Sequence, residues 1–572
     1  MALVPGDLAG RISDRTVRRR LGAEDVVRYA LVAAFALVLF LFVLYPMGQL
    51  AWRSLLDNQG RFVGAANYAR YFGTPAIASS ITNSLHVSLV SMVVTVLLAF
   101  AYAYALTRTL MPWQGLFRLV AMLPLFAPSL VQALAFIHVF GNNGILTRTT
   151  GLNIGIYGAK GIIFAEIFYC FPHATLILVT ALATADARLY EAADALGASK
   201  LRVFFTVTLP GAKYGLISAA LVVFTLVITD FGIAKVIGGN FNVLATDVYK
   251  QVIGQQNFSM GAVVGMMLLA PAALAFVVDR VVQRKQVALL TARAVPLIPR
   301  PKLGRDLFFT AFCSIVSVGI LAILGMAVWG SLIKYWPYNL SLTFGNYAFA
   351  NFDAGGWGSY FNSLQMAAGA ALFGTVVMFV GAWLNEKTRE FFVIRGIVQF
   401  LAFLPMAVPG LVLGLGYIFF FNAPNNPLNF LYATMGILVV NTVAHFYTVG
   451  HLTATTALKQ IDPEFEAVSA SLKVPVWRTF ARVTAPICLP AILDIAIYLF
   501  VNAMTTVSSV IFLYAPDTKL ASVAAVNIEE SGATAVAAAL CIVIVITSAA
   551  VKALHVLADR FLLGRLQAWR RR

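Results

Sequence analysis

Charged residues are scarce in this sequence. Asp, Glu, Lys and Arg together make up 11% of its 572 residues, whereas hydrophobic residues make up 60%. Soluble domains carry about 25% charged residues, so the composition excludes an ordinary soluble enzyme or binding module. It indicates a protein that crosses a membrane many times.

Cysteines and catalytic motifs are also few. The four cysteines, Cys170, Cys313, Cys488 and Cys541, form no CxxC pair and no Cys/His cluster, so we predict neither a disulfide nor a metal site. The sequence has no Walker A run, GxxxxGK(S/T), and cannot itself bind ATP phosphates through one. It also lacks HExxH, GxSxG and paired-carboxylate patterns. No catalytic residues are therefore predicted, and a membrane-embedded enzyme is disfavoured.

Long apolar runs, in contrast, are plentiful. A spanning helix needs about 20 mostly apolar residues. The run Gly396–Leu458 holds two such segments, separated by "NAPNNP", and two more begin after Lys213 and after Arg482. The others are Tyr29–Trp52, Tyr71–Thr107, Leu119–Thr147, Ile167–Ala185, Gln251–Val278, Leu307–Ile333, Ala354–Asn385 and Ser531–Val551. We predict an all-α protein with about twelve transmembrane helices.

The distribution of basic residues orients these spans. Residues 1–28 are polar and basic and lack the apolar core of a signal peptide, so we predict a cytoplasmic tail there. Twelve spans return the basic tail 561–572 to the same side. This topology places 32 of the 41 Lys and Arg residues in the cytoplasm, as the positive-inside rule requires. The net charge of +17 mostly reflects this asymmetry, and no clustered nucleic-acid-binding face is evident.

The chain repeats itself with a shift of about 280 residues. The segment "LPLFAPSLVQALAF" at Leu123 returns as "LPMAVPGLVLGLGY" at Leu404, and "NYARYF" at Asn67 returns as "NYAFANF" at Asn346. Each copy holds six spans, an even number, so both copies have the same orientation and form a parallel repeat. We predict a first half over 29–283, a cytoplasmic linker over 284–305 and a second half over 306–560.

A polar helical unit interrupts the first half between its fourth and fifth spans: "YEAADALGASKLRVFFTVTLP", Tyr190–Pro210. Its apolar spacing predicts two short amphipathic helices, broken at Gly197 and ended by Pro210 before the next span. The unit is longer and more structured than an ordinary connection. We interpret it as a helix offered to a groove on another protein; the alternative is a helix lying on the membrane surface.

This unit is similar to the EAA loop of ABC importer permeases. The positions that match the motif are Glu191, Ala192, Ala193, Gly197, Leu209 and Pro210, within a loop over 186–212. A second copy lies at Asp462–Pro486, within 462–488. Counted back from Pro486, Lys473 falls at the glycine position and Glu466 lies one position before the expected Glu. The second copy therefore departs from the family pattern, and the two contacts can be unequal.

The resemblance covers both halves and implies a fused double permease of a type I ABC importer in a bacterial inner membrane. It implies a homodimeric cytosolic ATPase, which would bind ATP and Mg, and a periplasmic substrate-binding protein as partners. The chain itself would hold no cofactor and would not be an enzyme. A secondary transporter is the alternative class, but it would not need two copies of an ATPase-docking motif.

Ionisable and hydroxyl residues within spans are candidates for the translocation path. Asp230, beside Thr229, is predicted at the outer end of the fifth span, where it either meets a cationic substrate group or caps a helix. The matching stretch of the eleventh span offers Thr505, Thr506, Ser508 and Ser509. His138, His173, His445 and Tyr447 are further candidates, although packing explains a lone membrane histidine more often. Glu166 and Asp494 are expected near the membrane interfaces.

The substrate is suggested by resemblance alone. Fused permeases of this kind serve ferric iron, thiamine and 2-aminoethylphosphonate systems. The segment Thr229–Gly265 resembles the 2-aminoethylphosphonate group most, and Asp230 could meet the ammonium end of that zwitterion while hydroxyl or helix-terminus donors meet the phosphonate. We therefore expect 2-aminoethylphosphonate, with ferric iron or thiamine as alternatives.

Overall fold

The computed structural model describes residues 23–289, 295, 297–387 and 392–560, and helices dominate it. The first half contains α1 (Ala23–Leu39), α2 (Tyr45–Ser54), α3 (Ala66–Gly73), α4 (Pro75–Arg108), α5 (Gln114–Met122), α6 (Ser129–Phe140), α7 (Ile145–Thr150), α8 (Ala159–Ala183), α9 (Ala187–Ala195), α10 (Lys200–Val203), α11 (Leu209–Thr229), α12 (Gly232–Ile237), α13 (Leu244–Tyr249) and α14 (Phe258–Leu289). Single π-helical turns join some of them, as at Phe40–Leu44 and Phe204–Thr208.

The second half follows the same plan. It contains α15 (Leu303–Leu332), the hairpin β1 (Ile333–Tyr335) and β2 (Asn339–Leu342), then α16 (Gly358–Gly369), α17 (Thr375–Lys387), α18 (Phe392–Phe403), α19 (Gly410–Phe421), α20 (Met435–Lys459), α21 (Glu464–Ser471), α22 (Val476–Thr479), α23 (Ala485–Ile487), α24 (Leu489–Thr505), α25 (Ala521–Glu530) and α26 (Thr534–Ala558). The strands pair antiparallel. A π turn at Phe480–Thr484 repeats the one at Phe204–Thr208.

The predicted number of spans is confirmed. In the described part of the chain, ten helical segments are long and apolar enough to cross a membrane, and two sharply bent pairs raise the number to twelve. The pair α18–α19 bends by 115° and the pair that ends in α24 bends by 73°. Prolines explain both bends, because Pro405, Pro409 and Pro490 donate no backbone hydrogen bond and clash with the preceding turn.

Helix α1 begins within the segment predicted as the N-terminal tail. It starts at Ala23, inside the predicted tail 1–28, and the apolar span begins at Val26. A charged residue such as Arg28 does not prevent a helix from starting before the apolar run of a span. The rest of that tail, the tail 561–572 and part of the linker lie outside the described residues.

Equivalent hydrogen bonds in the two halves show the repeat directly. The Ser84 hydroxyl accepts from the Leu244 backbone N–H at 2.8 Å, and the Ser363 hydroxyl accepts from the Ala521 N–H at 2.8 Å. In the same way, side-chain amides tie the segment after the first helix of each half to the end of that helix: Asn67 to the carbonyls of Ser54 and Leu56, Asn346 to those of Ser331 and Ile333. Each half therefore folds around the same internal links.

The first helix of each half packs against the opposite half. Helices α1 and α2 lie on α18 and α19, where the Tyr417 hydroxyl donates to the Phe42 carbonyl at 2.7 Å. Reciprocally, α15 lies on α4, α5 and α6, and the Ser317 and Tyr102 hydroxyls are 3.1 Å apart. This exchange buries large apolar faces between the halves and holds them as one body.

Candidate functional site

The first polar unit begins with a capped helix. Asp186 precedes α9 and its carboxylate accepts from the Arg188 backbone N–H at 3.1 Å. The Arg188 guanidinium pairs with the same carboxylate at 2.9 Å and holds the pKa of Asp186 below its usual value. The linker joins this site, because the Ala187 N–H donates to the Val295 carbonyl at 2.9 Å. The start of α9 is thereby tied to the segment that leads into the second half.

The turn after α9 has the same form in both halves. Gly197 has φ +69° and Lys473 has φ +53°, both in the left-handed region that favours glycine. Each turn closes with a hydrogen bond from the following residue: Ala198 N–H to Ala193 O, and Val474 N–H to Ser469 O, both at 3.0 Å. This is the Schellman arrangement of a helix C-terminus. The alignment of Lys473 with Gly197 is confirmed.

Exchanging these two residue types should have opposite effects. A side chain in the left-handed region costs roughly 1 kcal/mol or more relative to glycine. Because nothing lies within 4 Å of a Cβ built on Gly197, backbone strain alone determines the effect of a substitution there on stability. We expect Lys473→Gly to raise the thermal stability of the purified protein slightly and to retain uptake. Gly197→Lys should lower both. A larger loss from Lys473→Gly than from Gly197→Lys, in melting temperature and in uptake, would contradict this assignment.

The prediction that Pro210 ends the second amphipathic helix is wrong. Helical structure runs without a sharp bend from Lys200 to Thr229, through Pro210. The π turn at Phe204–Thr208 lies directly before the proline, and there the Leu209 N–H bonds to the Phe204 carbonyl, five residues back. The wider turn takes up the misfit that a proline causes in a regular helix. The polar unit is therefore one short helix, a turn and an N-terminal extension of the fifth span.

Both polar units present apolar side chains to solvent. Leu189, Leu196 and Leu201 of the first unit are 58%, 86% and 70% exposed. In the second unit, Leu472 and Trp477 are 70% and 64% exposed. Around these side chains, Glu191, Ala192, Gly197, Pro210, Lys473 and Pro486 are exposed, and Ala193, Leu209 and Glu466 are half-buried. Exposed apolar clusters with a polar rim are typical of protein-binding surfaces.

Asp230 ends the fifth span, as predicted, and caps the next helix. Its carboxylate accepts from the Ile233 backbone N–H at 2.7 Å at the start of α12, so the structure supports the capping interpretation. The same carboxylate also interacts with the Ser129 hydroxyl and with the Glu166 carboxyl group. Two neighbouring carboxyl groups repel each other when both are charged, so a proton or a cation between them is favoured. A helix cap needs only the Asp230 carboxylate, so capping does not explain why Glu166 lies beside it.

Glu166, which is expected near a membrane interface, lies inside the protein rather than on its surface. Its side chain is fully buried in α8, one carboxylate oxygen has no hydrogen-bond partner, and the other lies 3.9 Å from the Cys170 sulfur. Packing of α8 against α11 and α6 removes it from solvent. The Asp494 side chain, in contrast, is 57% exposed and lies 3.6 Å from His555.

We call the polar group of Asp230, Ser129 and Glu166 at the end of the fifth span the first corner. The hydroxyl run Thr505–Ser509 at the end of the eleventh span forms the second corner, at the matching place in the other half. Thr506 follows α24 with the backbone conformation that Asp230 has after α11, and its hydroxyl lies 3.1 Å from the Ser509 hydroxyl. The Ser509 carbonyl accepts from the Asn441 amide at 2.8 Å. Thr229 and Thr505 instead donate to the preceding turns of their own helices, at 2.8 and 3.1 Å.

The two corners contain the same serine–glycine contact, but the serine and the glycine occupy opposite positions in the two halves. In the first half Gly232 packs against the Ser129 hydroxyl, and in the second half Gly410 packs against the Ser508 hydroxyl. Ser129 and Gly410 begin α6 and α19 at equivalent positions, so a serine faces a glycine in both halves with the two residue types exchanged. Comparing "APS" with "VPG" in the sequence repeats could have indicated this pair; nothing in the sequence indicated that Glu166 lies near Asp230.

The structure does not join the two corners by a hydrogen bond among the described residues. The halves meet instead near the outer ends of these spans, where Lys235 of α12 pairs with Glu530 of α25 and the Tyr249 and Phe512 rings stack at 6.4 Å. Deeper in the membrane, Tyr169 of the first half lies within electrostatic reach of Tyr498 of the second. The corners therefore flank the junction between the halves.

The other candidate side chains contact their own surroundings. The His138 ring bonds the Leu134 carbonyl at 2.8 Å and packs on Trp336 at 5.0 Å. Tyr447 lies 3.2 Å from His451 on the same helix. His445 packs against a neighbouring phenylalanine and His173 against Tyr169. These contacts agree with packing roles.

Two segments of the chain, residues 111–287 and 377–562, match the family described as the binding-protein-dependent transport system inner membrane component. The chain belongs to this family. Each match covers the last four or five spans of one half and includes one polar unit. The protein is thus a fused permease subunit of a type I ABC importer, a multi-pass membrane protein that works with a binding protein and an ATPase.

Relatives of full and of half length support the fused arrangement. The putative ferric transport system permease protein FbpB 1 of Haemophilus influenzae is 28% identical over 503 residues, which is 85% of this chain and 77% of the relative. The ferric transport system permease protein FbpB of Actinobacillus pleuropneumoniae is 28% identical over 88% of this chain and 74% of its own length. The spermidine/putrescine permease PotB of Haemophilus influenzae is 28% identical over 36% of this chain and 75% of its own.

Proposed function

We propose that this permease carries ferric iron, delivered by a periplasmic binding protein and driven by a homodimeric cytosolic ATPase. The observation that carries the proposal is the similarity, over more than four fifths of the chain, to two permeases named for ferric transport. The 2-aminoethylphosphonate expectation has no such support, because neither long relative is named for a phosphonate. Thiamine lacks support for the same reason.

The oxygen-rich corner of the first half suits this cargo. Hard cations take oxygen ligands, above all carboxylates. Asp230 and Glu166 bring two carboxyl groups together, and the Tyr169 phenol lies within electrostatic reach of both. Asp494 adds an exposed carboxylate in a cavity of about 520 Å³ between α20 and α24. We infer a path along Asp230 and Glu166 that passes Thr229, Thr505, Thr506, Ser508 and Ser509.

Uptake by the intact system tests the substrate. We expect deletion of this chain in its host to abolish accumulation of radiolabelled ferric iron in an iron-starved culture. Uptake of labelled 2-aminoethylphosphonate and of labelled thiamine should remain unchanged, and the plasmid-borne chain should restore iron uptake. Loss of phosphonate or thiamine uptake with normal iron uptake would overturn the ferric assignment but not the membership in the permease family.

The two polar units are the proposed sites of ATPase coupling. They lie on the same side of the membrane, carry exposed apolar clusters, and each leads through a π turn into a span that ends at one of the two corners. A force applied at Glu191 or Glu466 would reach Asp230 or Thr506 along one helix in the first half and along a bent helix in the second. We infer that both units dock on the ATPase and that the straight first helix transmits its motion more directly.

Both termini and the linker are proposed to be cytoplasmic. The four native cysteines are buried, so single surface cysteines report the topology cleanly. We expect a membrane-impermeant maleimide to label Asn425→Cys in intact cells with the outer membrane opened. Arg300→Cys should react only after the inner membrane is permeabilised. The reverse pattern would refute the proposed orientation.

A further inference from the structure

A cavity of about 530 Å³ lies on the cytoplasmic side between α4, α10 and α15. Three cations surround its mouth, and the remaining lining is mostly aromatic. The cations are Lys200, Lys302 and Arg305, and the aromatic residues are Phe100, Tyr104, Phe204 and Phe309. The cavity is distinct from the two corners described above, and it borders the first polar unit, because Lys200 directly precedes the exposed Leu201.

The lining is layered by depth. Lys200 is the first residue of α10 and Lys302 directly precedes α15, so both lie where these helices enter the membrane. Phe204 and Phe309 each follow one of the cations by four residues, which is about 6 Å along a helix. Their rings pack with Tyr104, at centroid distances of 6.2 and 5.5 Å. The charges therefore lie at head-group level and the rings at the level of the acyl chains.

The cavity carries excess positive charge. Arg305 pairs with Asp306 at 2.7 Å and also donates to the Arg300 carbonyl. In the part of the chain that the structure describes, no ion pair of Lys200 or Lys302 is present, and the side chains of both are exposed. The positive charges of Lys200 and Lys302 are thus not balanced by a carboxylate of the described residues, and they lie beside the aromatic lining of the cavity.

The second half repeats the rings but not the first cation. Phe480 lies at the position of Phe204 and packs with Trp383 and Phe379, at 4.6 and 5.9 Å. The first residue of α22, Val476, stands where α10 has Lys200. The aromatic cluster therefore belongs to the fold, while Lys200 is not needed to build it.

We propose that this cavity binds an anionic phospholipid of the cytoplasmic leaflet. Lys200, Lys302 and Arg305 bind the phosphate of the head group, and an acyl chain runs over the aromatic floor. The neighbouring surface of α4 continues in the same direction, since Leu97, one turn deeper, is 67% exposed. Basic pockets between membrane helices on the cytoplasmic side are suited to such lipids, whereas a free phosphate would gain nothing from the apolar floor.

The position of the lipid links the two halves. Helix α10 follows the Gly197 turn of the first half, and α15 is the first helix of the second half, which crosses over to pack on α4. A lipid held by Lys200 on one side and by Lys302 and Arg305 on the other joins the first polar unit to the opposite half. Transport by the reconstituted complex is therefore expected to depend on anionic lipid.

Native mass spectrometry of the purified full-length protein tests the site with phosphatidylglycerol and phosphatidylcholine as probes. We expect the double variant Lys200→Ala/Lys302→Ala to bind phosphatidylglycerol roughly 30-fold more weakly, because each cation near a membrane surface contributes about a fivefold factor. Phosphatidylcholine binding should not change. The control is Arg478→Ala/Arg482→Ala, which removes the same charge from exposed positions in the matching stretch of the second half and should bind phosphatidylglycerol like the wild type.

Three results would overturn the proposal. Equal phosphatidylglycerol binding by the wild type and the Lys200/Lys302 variant would show that the cavity binds no lipid. Displacement of phosphatidylglycerol by inorganic phosphate at similar concentrations would identify a simple anion site. Unchanged lipid binding with loss of the ATPase on co-purification would assign these cations to the protein partner instead.

Discussion

Replacing Gly197 with proline is expected to reduce substrate uptake to background while the protein still inserts in the membrane. Proline holds φ near −65°, whereas Gly197 has φ +69°. Proline also removes the N–H that donates to the Asp194 carbonyl at 3.0 Å. The turn between α9 and α10 must therefore rearrange, and the exposed leucines on its two sides lose their relative position. ATPase co-purification should fall together with uptake.

Gly197→Asn is the matched control for this variant. Asparagine tolerates the left-handed conformation better than other non-glycine residues, so we expect uptake close to that of the wild type. Lys473→Pro makes the same change in the second polar unit, so its effect on uptake can be compared with that of Gly197→Pro in the first. Normal uptake together with normal ATPase association in Gly197→Pro would refute the assignment of this turn to coupling.

The charge of Asp230 is expected to matter more for transport than its role as a helix cap. Asn and Asp cap helices comparably, so Asp230→Asn keeps the bond to the Ile233 N–H and removes only the negative charge. If the carboxyl groups of Asp230 and Glu166 meet the cation in transit, uptake should fall more than about tenfold, as expected when one partner of a buried charge interaction is lost. Expression and thermal stability should remain near the wild-type values.

Two further variants separate charge from capping. Asp230→Ala removes both, so it should lower stability as well as uptake, by roughly 1 kcal/mol for the lost cap. Asp57→Asn changes a half-buried carboxylate in the turn after α2 that accepts from the Gln59 and Arg61 N–H groups and should leave uptake unchanged. Wild-type uptake in Asp230→Asn, with a loss only in Asp230→Ala, would reduce Asp230 to a structural cap.

The sequence by itself determined the membrane class, the number of spans, the parallel repeat and the two polar units. These features depend on local patterns: the length of an apolar run, the side on which Lys and Arg occur, and a motif that returns at a constant shift. The equivalence of Lys473 and Gly197 was also predictable, because a turn of fixed length between two helices preserves the spacing to Pro210 and Pro486.

Only the tertiary structure decided how these parts meet. The exchange of α1 and α15 between the halves, the burial of Glu166 against Asp230 and the cation-rimmed cavity all join residues that are far apart in the chain. Their pairing depends on which faces of neighbouring helices pack together, and apolar faces in a membrane look alike in sequence. The straight course of the helix through Pro210 was equally hidden, because the π turn that accommodates a proline leaves no signal in the hydrophobic pattern.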